Sequence, residues 1–270
     1  MTKYIFIDID GTLIDRNGKV PESAAIAIQK ARAEGHKVFI ATGRSRCEIF
    51  DDYLASGFDG IVGAAGGYVE VEGKVIESNS MTKDESDRII KILEENNIKF
   101  SAETDRAVYN NSETQEFLKD VFISLGRDIK TDQFYNMMTR IENFDNIEGI
   151  NKILYYDTDI TIDKMRQRLG DRYTIIPYTI KEFGNNGGEI NIKDVTKASG
   201  IEKILEYFGG NAEDTVAIGD SDNDIEMLKI ANTAVAMGNS SKNLIKHADF
   251  VTDDVNEDGL AKAIYHILNK

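Results

Sequence analysis

The chain has 270 residues, 41% of them hydrophobic, with 32 Lys and Arg against 47 Asp and Glu for a formal net charge of −15. That length suits one large or two modest domains with real apolar cores, and the charge disfavours a nucleic-acid backbone or an anionic membrane as principal partner. The single cysteine, Cys47, excludes an intrachain disulfide; no stretch approaches the roughly 18 apolar residues of a spanning helix, and the first residues lack a signal-peptide core, so the cytoplasm is the expected setting.

Taken in chain order, Tyr4-Ile5-Phe6-Ile7 reads as a buried strand ending in Asp8-Ile9-Asp10-Gly11-Thr12-Leu13, which sets two carboxylates one residue apart at its turn. A helix is expected over 22–34, then a strand over 37–41 ending in Thr42-Gly43-Arg44. A small hydroxyl, a glycine and a fixed cation suit an anionic phosphate. A helix over 45–55 and a strand over 60–63 continue an alternation that implies a parallel sheet with helices on both faces. Segments 68–71 and 74–77 alternate with period two around Glu72-Gly73 and predict a hairpin. Residues 79–83 read as a linker into a helix that buries Ile89, Ile90, Ile92 and Leu93.

From 84 to 188 the pattern changes to helices mixed with amphipathic strands at 98–102, 107–110, 150–156 and 173–177, the signature of an inserted α+β unit. Gly184-Asn185-Asn186-Gly187-Gly188 reads either as a return hinge or as a simple surface loop. The alternating core then resumes with a strand over 189–192, a helix to 208, a strand to 219, a helix over 222–230, a strand over 233–236 and a last helix over 260–268. Lys197 precedes the helical run 201–208, and a second acidic cluster, Asp220-Ser221-Asp222-Asn223-Asp224, follows the strand that ends at Gly219.

Each acidic cluster alone has a plain explanation. Asp10-Gly11 is a common turn pair. A calcium loop starting at Asp220 fails because Ile225 and Ala231 stand where the loop needs its turning glycine and its bidentate glutamate; one starting at Asp8 fails at Leu13 and Lys19. Together, two such clusters at the carboxyl ends of strands in a parallel sheet imply a bound cation, and a hard ion such as Mg²⁺ would relieve their repulsion.

The ordered set Asp8-x-Asp10-Gly11-Thr12-Leu13, Thr42-Gly43-Arg44, Lys197 and Gly219-Asp220-Ser221-Asp222-Asn223-Asp224 resembles the four motifs of the haloacid dehalogenase superfamily. The resemblance is to the Cof-type phosphatases, which carry a large cap between the second and third motifs. It implies an α/β fold: a Rossmann-like parallel-sheet core over 1–83 and 189–270 with an inserted α+β cap over 84–188. It also implies a magnesium-dependent phosphomonoester hydrolase for small phosphorylated metabolites, sugar phosphates foremost. A phosphomutase is the alternative enzyme, and a non-catalytic phosphoryl sensor the alternative of another class. Asp10 and the cap argue against the sensor, which needs neither a leaving-group acid nor a lid.

By the same resemblance Asp8 is the nucleophile that forms an aspartyl phosphate, and Asp10 the acid and base. Metal ligation falls to Asp8, the Asp10 carbonyl and Asp220, with Asp224 orienting the waters around the ion. Thr42, Gly43, Lys197 and Asn223 are the phosphate-binding set. Arg44 has two open readings, phosphate contact or pinning of the loop by an ion pair. Asp222 is expected to cap the helix it begins. One departure is visible: Ala65-Gly66-Gly67 stands where related enzymes often have Asn-Gly-Ala, which removes a polar side chain from that loop. His36, His247 and His266 are dispersed without metal spacing, and Cys47 is expected to pack rather than react.

Overall fold

The computed structural model describes residues 2–178 and 180–269. The chain divides into two compact units, one within Met1–Arg44, Ile49–Ser78 and Val195–Lys270, the other comprising Ser45–Glu48 and Asn79–Asp194.

The first unit begins with β1 (Tyr4–Ile7), α1 (Glu22–Ala33), β2 (Lys37–Ala41), the short α2 (Asp51–Leu54), β3 (Gly60–Gly63), β4 (Tyr68–Val71) and β5 (Lys74–Ser78). The expected helix over 45–55 is broken, because Phe50 takes an extended conformation between a 3-10 turn at Arg46–Glu48 and α2. Pro21 opens α1, whose buried Ala24, Ala27, Ile28 and Ala31 recur at helical spacing, with Glu22 in its first turn and Lys30 and Arg32 in its last. That placement complements the helix dipole.

The second unit contains α3 (Lys83–Glu95), β6 (Lys99–Glu103), β7 (Val108–Asn110), α4 (Ser112–Ser124), α5 (Gln133–Met137), β8 (Thr139–Arg140), β9 (Lys152–Tyr156), α6 (Ile162–Leu169), β10 (Tyr173–Pro177) and β11 (Gly188–Ile192). The first unit then resumes with α7 (Lys197–Phe208), β12 (Thr215–Gly219), α8 (Ile225–Ile230), β13 (Thr233–Ala236), β14 (Phe250–Val251) and α9 (Gly259–Leu268).

The first sheet has the order β14-β13-β12-β1-β2-β3-β4-β5. Its strands are parallel from β14 to β3 and antiparallel across the β3–β4 and β4–β5 pairs. Successive residues of β1 serve opposite faces: Ile5 and Ile7 join the cluster that holds the apolar sides of α1 and α9, whereas Tyr4 and Phe6 join the one with Ile201, Ile204 and Leu228. A strand buried on both sides must be apolar at every position, and β1 is. The chain moves outward from β1 through β2 to β3, and outward the other way from β12 through β13 to β14. The reversal between β1 and β12 is the topological switch point, where such sheets open a crevice beyond their carboxyl ends.

The second sheet has the order β10-β11-β9-β6-β7-β8 and is antiparallel except between β7 and β8. One face supplies Phe100, Ala102, Ile153, Tyr155, Ile175 and Ile190 to a core shared with Ile89, Leu93, Met165 and Leu169. The alternate positions include Ser101, Glu103, Lys152, Glu189 and Asn191. Thr82 starts α3 with a capping box, its Oγ1 accepting from Glu85 N–H while Glu85 accepts from Thr82 N–H.

Two expectations need correction. Residues 189–192 do not resume the parallel sheet; β11 pairs antiparallel with β10 and β9 in the second sheet. Its alternation of apolar Ile190 with polar Glu189 and Asn191 suits a sheet with one polar face. Gly184–Gly188 is consequently not the return hinge, because it joins β10 to β11 inside the second unit. Packing explains these glycines: a Cβ at Gly187 would lie 2.8 Å from Tyr155 O, and one at Gly188 would lie 2.7 Å from Ile176 O.

Candidate active site

Asp8 follows β1, Thr42 follows β2 and Asp220 follows β12, so three segments far apart in sequence end side by side at the crevice of the first sheet. Asp8 N–H extends the ladder by donating to Ile218 O at 3.0 Å. The chain then turns tightly, with Leu13 N–H donating to Asp8 O at 3.1 Å and Gly11 in the left-handed region at φ +78°. A Cβ on Gly11 would lie 2.5 Å from Asp220 Oδ2, so only glycine lets the two acidic loops approach this closely.

Lys197 is the first residue of α7, not a residue preceding the helix, and Thr196 caps it by accepting from Ser199 N–H. Although 2% exposed, the lysine is held by two carboxylates: Nζ donates to Asp8 Oδ1 at 2.7 Å and to Asp224 Oδ1 at 2.5 Å, which leaves its third N–H for a further acceptor. Burial alone would lower its pKa, but Asp224 and Asp8 outweigh that and raise it. Asp224 Oδ2 accepts from the backbone N–H groups of Asp220 and Ser221, both at 3.0 Å. Asp224 is therefore committed at both oxygens, one to the lysine and one to the loop that carries Asp220.

Asp220 is different. Asn239 Nδ2 donates to its Oδ2 at 3.3 Å, while its buried Oδ1 has no hydrogen-bond partner. Burial first, then Asp224, raises the Asp220 pKa to about 7 against the pull of Lys197. Asp8 is likewise pushed well above the usual carboxylate range, chiefly by burial, with Asp224 and Asp10 adding to it despite Lys197. Asp8, Asp220 and Asp224 each bring one oxygen within 4.8 Å of the others. Three carboxylates gathered around one ammonium, with a buried oxygen left over, are a donor set that fits a hard divalent cation.

Asp10 lies at the open side. Its side chain is 60% exposed and is held by Arg44, with Nη2 donating to Oδ1 at 2.5 Å and Nε to Oδ2 at 2.8 Å. Arg44 stacks over the Tyr53 ring at 5.3 Å and donates to its hydroxyl at 3.4 Å. Of the two readings left open for Arg44, the structure displays the ion pair. Thr42 Oγ1 accepts from Arg44 N–H at 3.2 Å, and a Cβ on Gly43 would sit 3.6 Å from Asn223 Nδ2, which puts the second motif beside the fourth. Asn223 Oδ1 accepts from Ser221 Oγ at 2.7 Å.

Asp222 is not the cap. Ser221 occupies that position, and Asp222 accepts from Ser241 Oγ and Asn243 Nδ2 instead. Cys47 packs as expected: its thiol donates to Thr104 O at 3.3 Å, and burial, then Glu48, raises its pKa far from the thiolate range. Two further positioning features come from the loops after β13 and β3. Asn239 reaches Asp220 from the loop after β13, and Gly66 sits where a Cβ would fall 2.0 Å from Thr196 O, so the turn after β3 lies against the start of α7.

The sequence model of the haloacid dehalogenase-like hydrolases matches residues 5–264. The chain belongs to that family. A protein named putative phosphatase YkrA, from Bacillus subtilis, is 29% identical over 97% of this chain and 96% of its own length. The 5-amino-6-(5-phospho-D-ribitylamino)uracil phosphatase YcsE of the same organism is 28% identical over 98% of this chain and 95% of its own. Among solved structures, the subclass IIB sugar phosphatase BT4131 superposes with a TM-score of 0.78 at 26% identity, covering 98% of this chain and 99% of that one. Family membership makes this chain a hydrolase of the superfamily, and phosphatase is the activity named for all three relatives.

Proposed function

We propose that this protein is a magnesium-dependent phosphatase that hydrolyses phosphomonoesters of small metabolites, with sugar and polyol phosphates the leading class, through phosphoryl transfer to Asp8. The observation that carries this reading is the unequal treatment of two carboxylates one residue apart. Asp8 is buried and fixed by Lys197, as suits a nucleophile; Asp10 is exposed and tethered by Arg44, as suits a group that exchanges protons with solvent.

Asp8, Asp220 and the Asp10 carbonyl would hold Mg²⁺. When bound, the ion would neutralise phosphate oxygens and favour the ionised form of Asp8. A carboxylate oxygen of Asp8 attacks phosphorus and the ester P–O bond breaks, the leaving oxygen taking the proton of Asp10. Asp10, now a carboxylate, removes a proton from water; the water oxygen attacks phosphorus and the bond to Asp8 breaks, releasing inorganic phosphate. Thr42, the Gly43 backbone, Asn223 and Lys197 hold the transferring oxygens, with Asp224 keeping Lys197 and the Asp220 loop in place. We assign the role of the inserted cap, reading the organic portion, to the second unit, Ser45–Glu48 with Asn79–Asp194. The sugar-phosphate preference rests on the activities named for YcsE and BT4131.

Phosphate release from a panel of hexose, pentose and polyol phosphates, with and without Mg²⁺, tests the proposal. Mg²⁺-dependent stoichiometric release of alcohol and inorganic phosphate is expected. Isomerised phosphoester without free phosphate would instead identify a mutase, and the absence of turnover on the panel and on p-nitrophenyl phosphate would sink the enzymatic reading.

A further inference from the structure

The acidic loop after β12 rests on the loop after β13. Met237 N–H and Ser240 Oγ both donate to Gly219 O, at 3.0 and 3.3 Å, and Ser241 N–H donates to Asp220 O at 2.9 Å. Asn239 lies in the middle of this support. Its Oδ1 accepts from Val255 N–H at 3.0 Å, which fixes which end of the amide is oxygen. Its Nδ2 therefore faces the site, donating to Gly11 O at 2.8 Å and to Asp220 Oδ2 at 3.3 Å. One amide thus ties together the loops that follow β1 and β12 while itself anchored near α9.

The consequence concerns which oxygen of Asp220 is left over. With Oδ2 engaged by Asn239 and crowded by Gly11, the carboxylate cannot rotate freely, and Oδ1 remains buried without a partner. Holding the Gly11 carbonyl also restrains the Gly11–Thr12 peptide, one unit beyond the Asp10 carbonyl. We propose that Asn239 is a positioning residue for metal binding: its amide aims Asp220 Oδ1 and the Asp10 loop at the cation. This rests on the magnesium reading above. Groups that orient ligands from behind typically change metal affinity by about 10–100-fold.

The test is calorimetric titration of the full chain with Mg²⁺ in the absence of substrate, for the native protein, Asn239→Ala and Asn239→Asp, with thermal unfolding of each metal-free form. Asn239→Ala should weaken Mg²⁺ about tenfold or more, and turnover should recover when Mg²⁺ is raised to saturation, with the substrate KM unchanged. Asn239→Asp keeps an oxygen for Val255 N–H but loses the donor, and should also bind Mg²⁺ more weakly. Unchanged affinity in Asn239→Ala overturns the inference, as does a turnover deficit that saturating Mg²⁺ leaves in place. Tighter binding by Asn239→Asp, the result of added charge alone, overturns it too. If the native protein itself fails to bind Mg²⁺, the proposed function falls rather than the role of Asn239.

Discussion

Each unit buries a lysine among carboxylates, and the two clusters differ in what is left unpaired. In the first unit Lys197 joins Asp8 and Asp224 while Asp220 keeps a buried oxygen without a partner. In the second, Lys152 lies between Glu103 at 3.2 Å and Glu189 at 3.5 Å, and Ser45 Oγ donates to Glu103 Oε2 at 2.6 Å. No oxygen of Glu103 or Glu189 is left buried and unpaired among the described residues. The backbone differs as well. Glu103, Lys152 and Glu189 sit on regular strands, whereas Asp8 and Asp220 lie in loops just past strand ends, with positive-φ Gly11 between them, and Lys197 opens α7 beside the turn that holds positive-φ Ala64, Ala65 and Gly66. A closed ion network on strands locks a sheet together. An incomplete one, with a buried carboxylate oxygen unpaired, is a donor set that fits a cation.

The largest test of this contrast is isosteric neutralisation in both clusters. Asp8→Asn should lower turnover by about 10⁴-fold or more, as removal of a nucleophile does, while Glu103→Gln retains the chemistry because its cluster supplies no reacting group. Comparable losses in both, measured on folded variants by phosphate release, would erase the distinction.

Next in size is the response to metal. Asp220→Asn should reduce Mg²⁺ affinity more than the ~100-fold reached by groups that only orient ligands. It should also raise the melting temperature of the metal-free protein, because it removes a buried charge that Asp224 repels. In the native protein, removal of divalent ions should abolish turnover, and saturating Mg²⁺ at about 100 times its Kd should stabilise by ~2.7 kcal/mol. Calorimetry and thermal unfolding with and without Mg²⁺ provide both readings.

The second cluster should reveal itself through pH. Burial first, then Glu48, raises the Glu103 pKa to about 7 from 4.5, with Lys152 and Ser45 pulling it down. The folded state therefore holds this proton more tightly than the unfolded state. Stability should be greatest below about pH 4.5 for this group, fall as pH rises through about 7, and level off above, a change on the order of 3 kcal/mol at most. Glu103→Gln should flatten that part of the profile; an unchanged slope in denaturant unfolding between those pH values would show that another group is responsible.

The smallest effect addresses loop strain. Ala65 adopts φ 51° and ψ 35°, a left-handed conformation that costs an ordinary L-residue about 1–2 kcal/mol and that asparagine tolerates better. Ala65→Asn should raise stability by up to about 1 kcal/mol, or roughly 2–4 °C in melting temperature, whereas Gly66→Ala should lower it because of the 2.0 Å approach to Thr196 O. A null result for Ala65→Asn would show that the loop relaxes without cost.

The strands of the first sheet were legible because a strand covered on both faces must be apolar throughout, and Tyr4–Ile7, Lys37–Ala41 and Thr215–Gly219 nearly are. The motif residues were legible because their chemistry is compressed into short runs at the ends of those strands. What misled the reading was local ambiguity. The alternation at Gly188–Ile192 carries no label for the sheet it joins, and a glycine run reads alike whether it turns a hairpin or bends a hinge.

Sequence by itself thus determined which residue types stand where a parallel sheet opens: the carboxylates at Asp8, Asp10 and Asp220 and the small, cationic run at Thr42-Gly43-Arg44. Tertiary structure alone decided how those groups pair. Only folding brings Lys197, 189 positions from Asp8, between two carboxylates, ties Arg44 to Asp10, and turns Asn239 onto Asp220. The physical reason is that pairing and desolvation depend on distances of a few ångströms across chain separations that carry no local pattern, so a site's inventory is written in the sequence and its electrostatics in the fold.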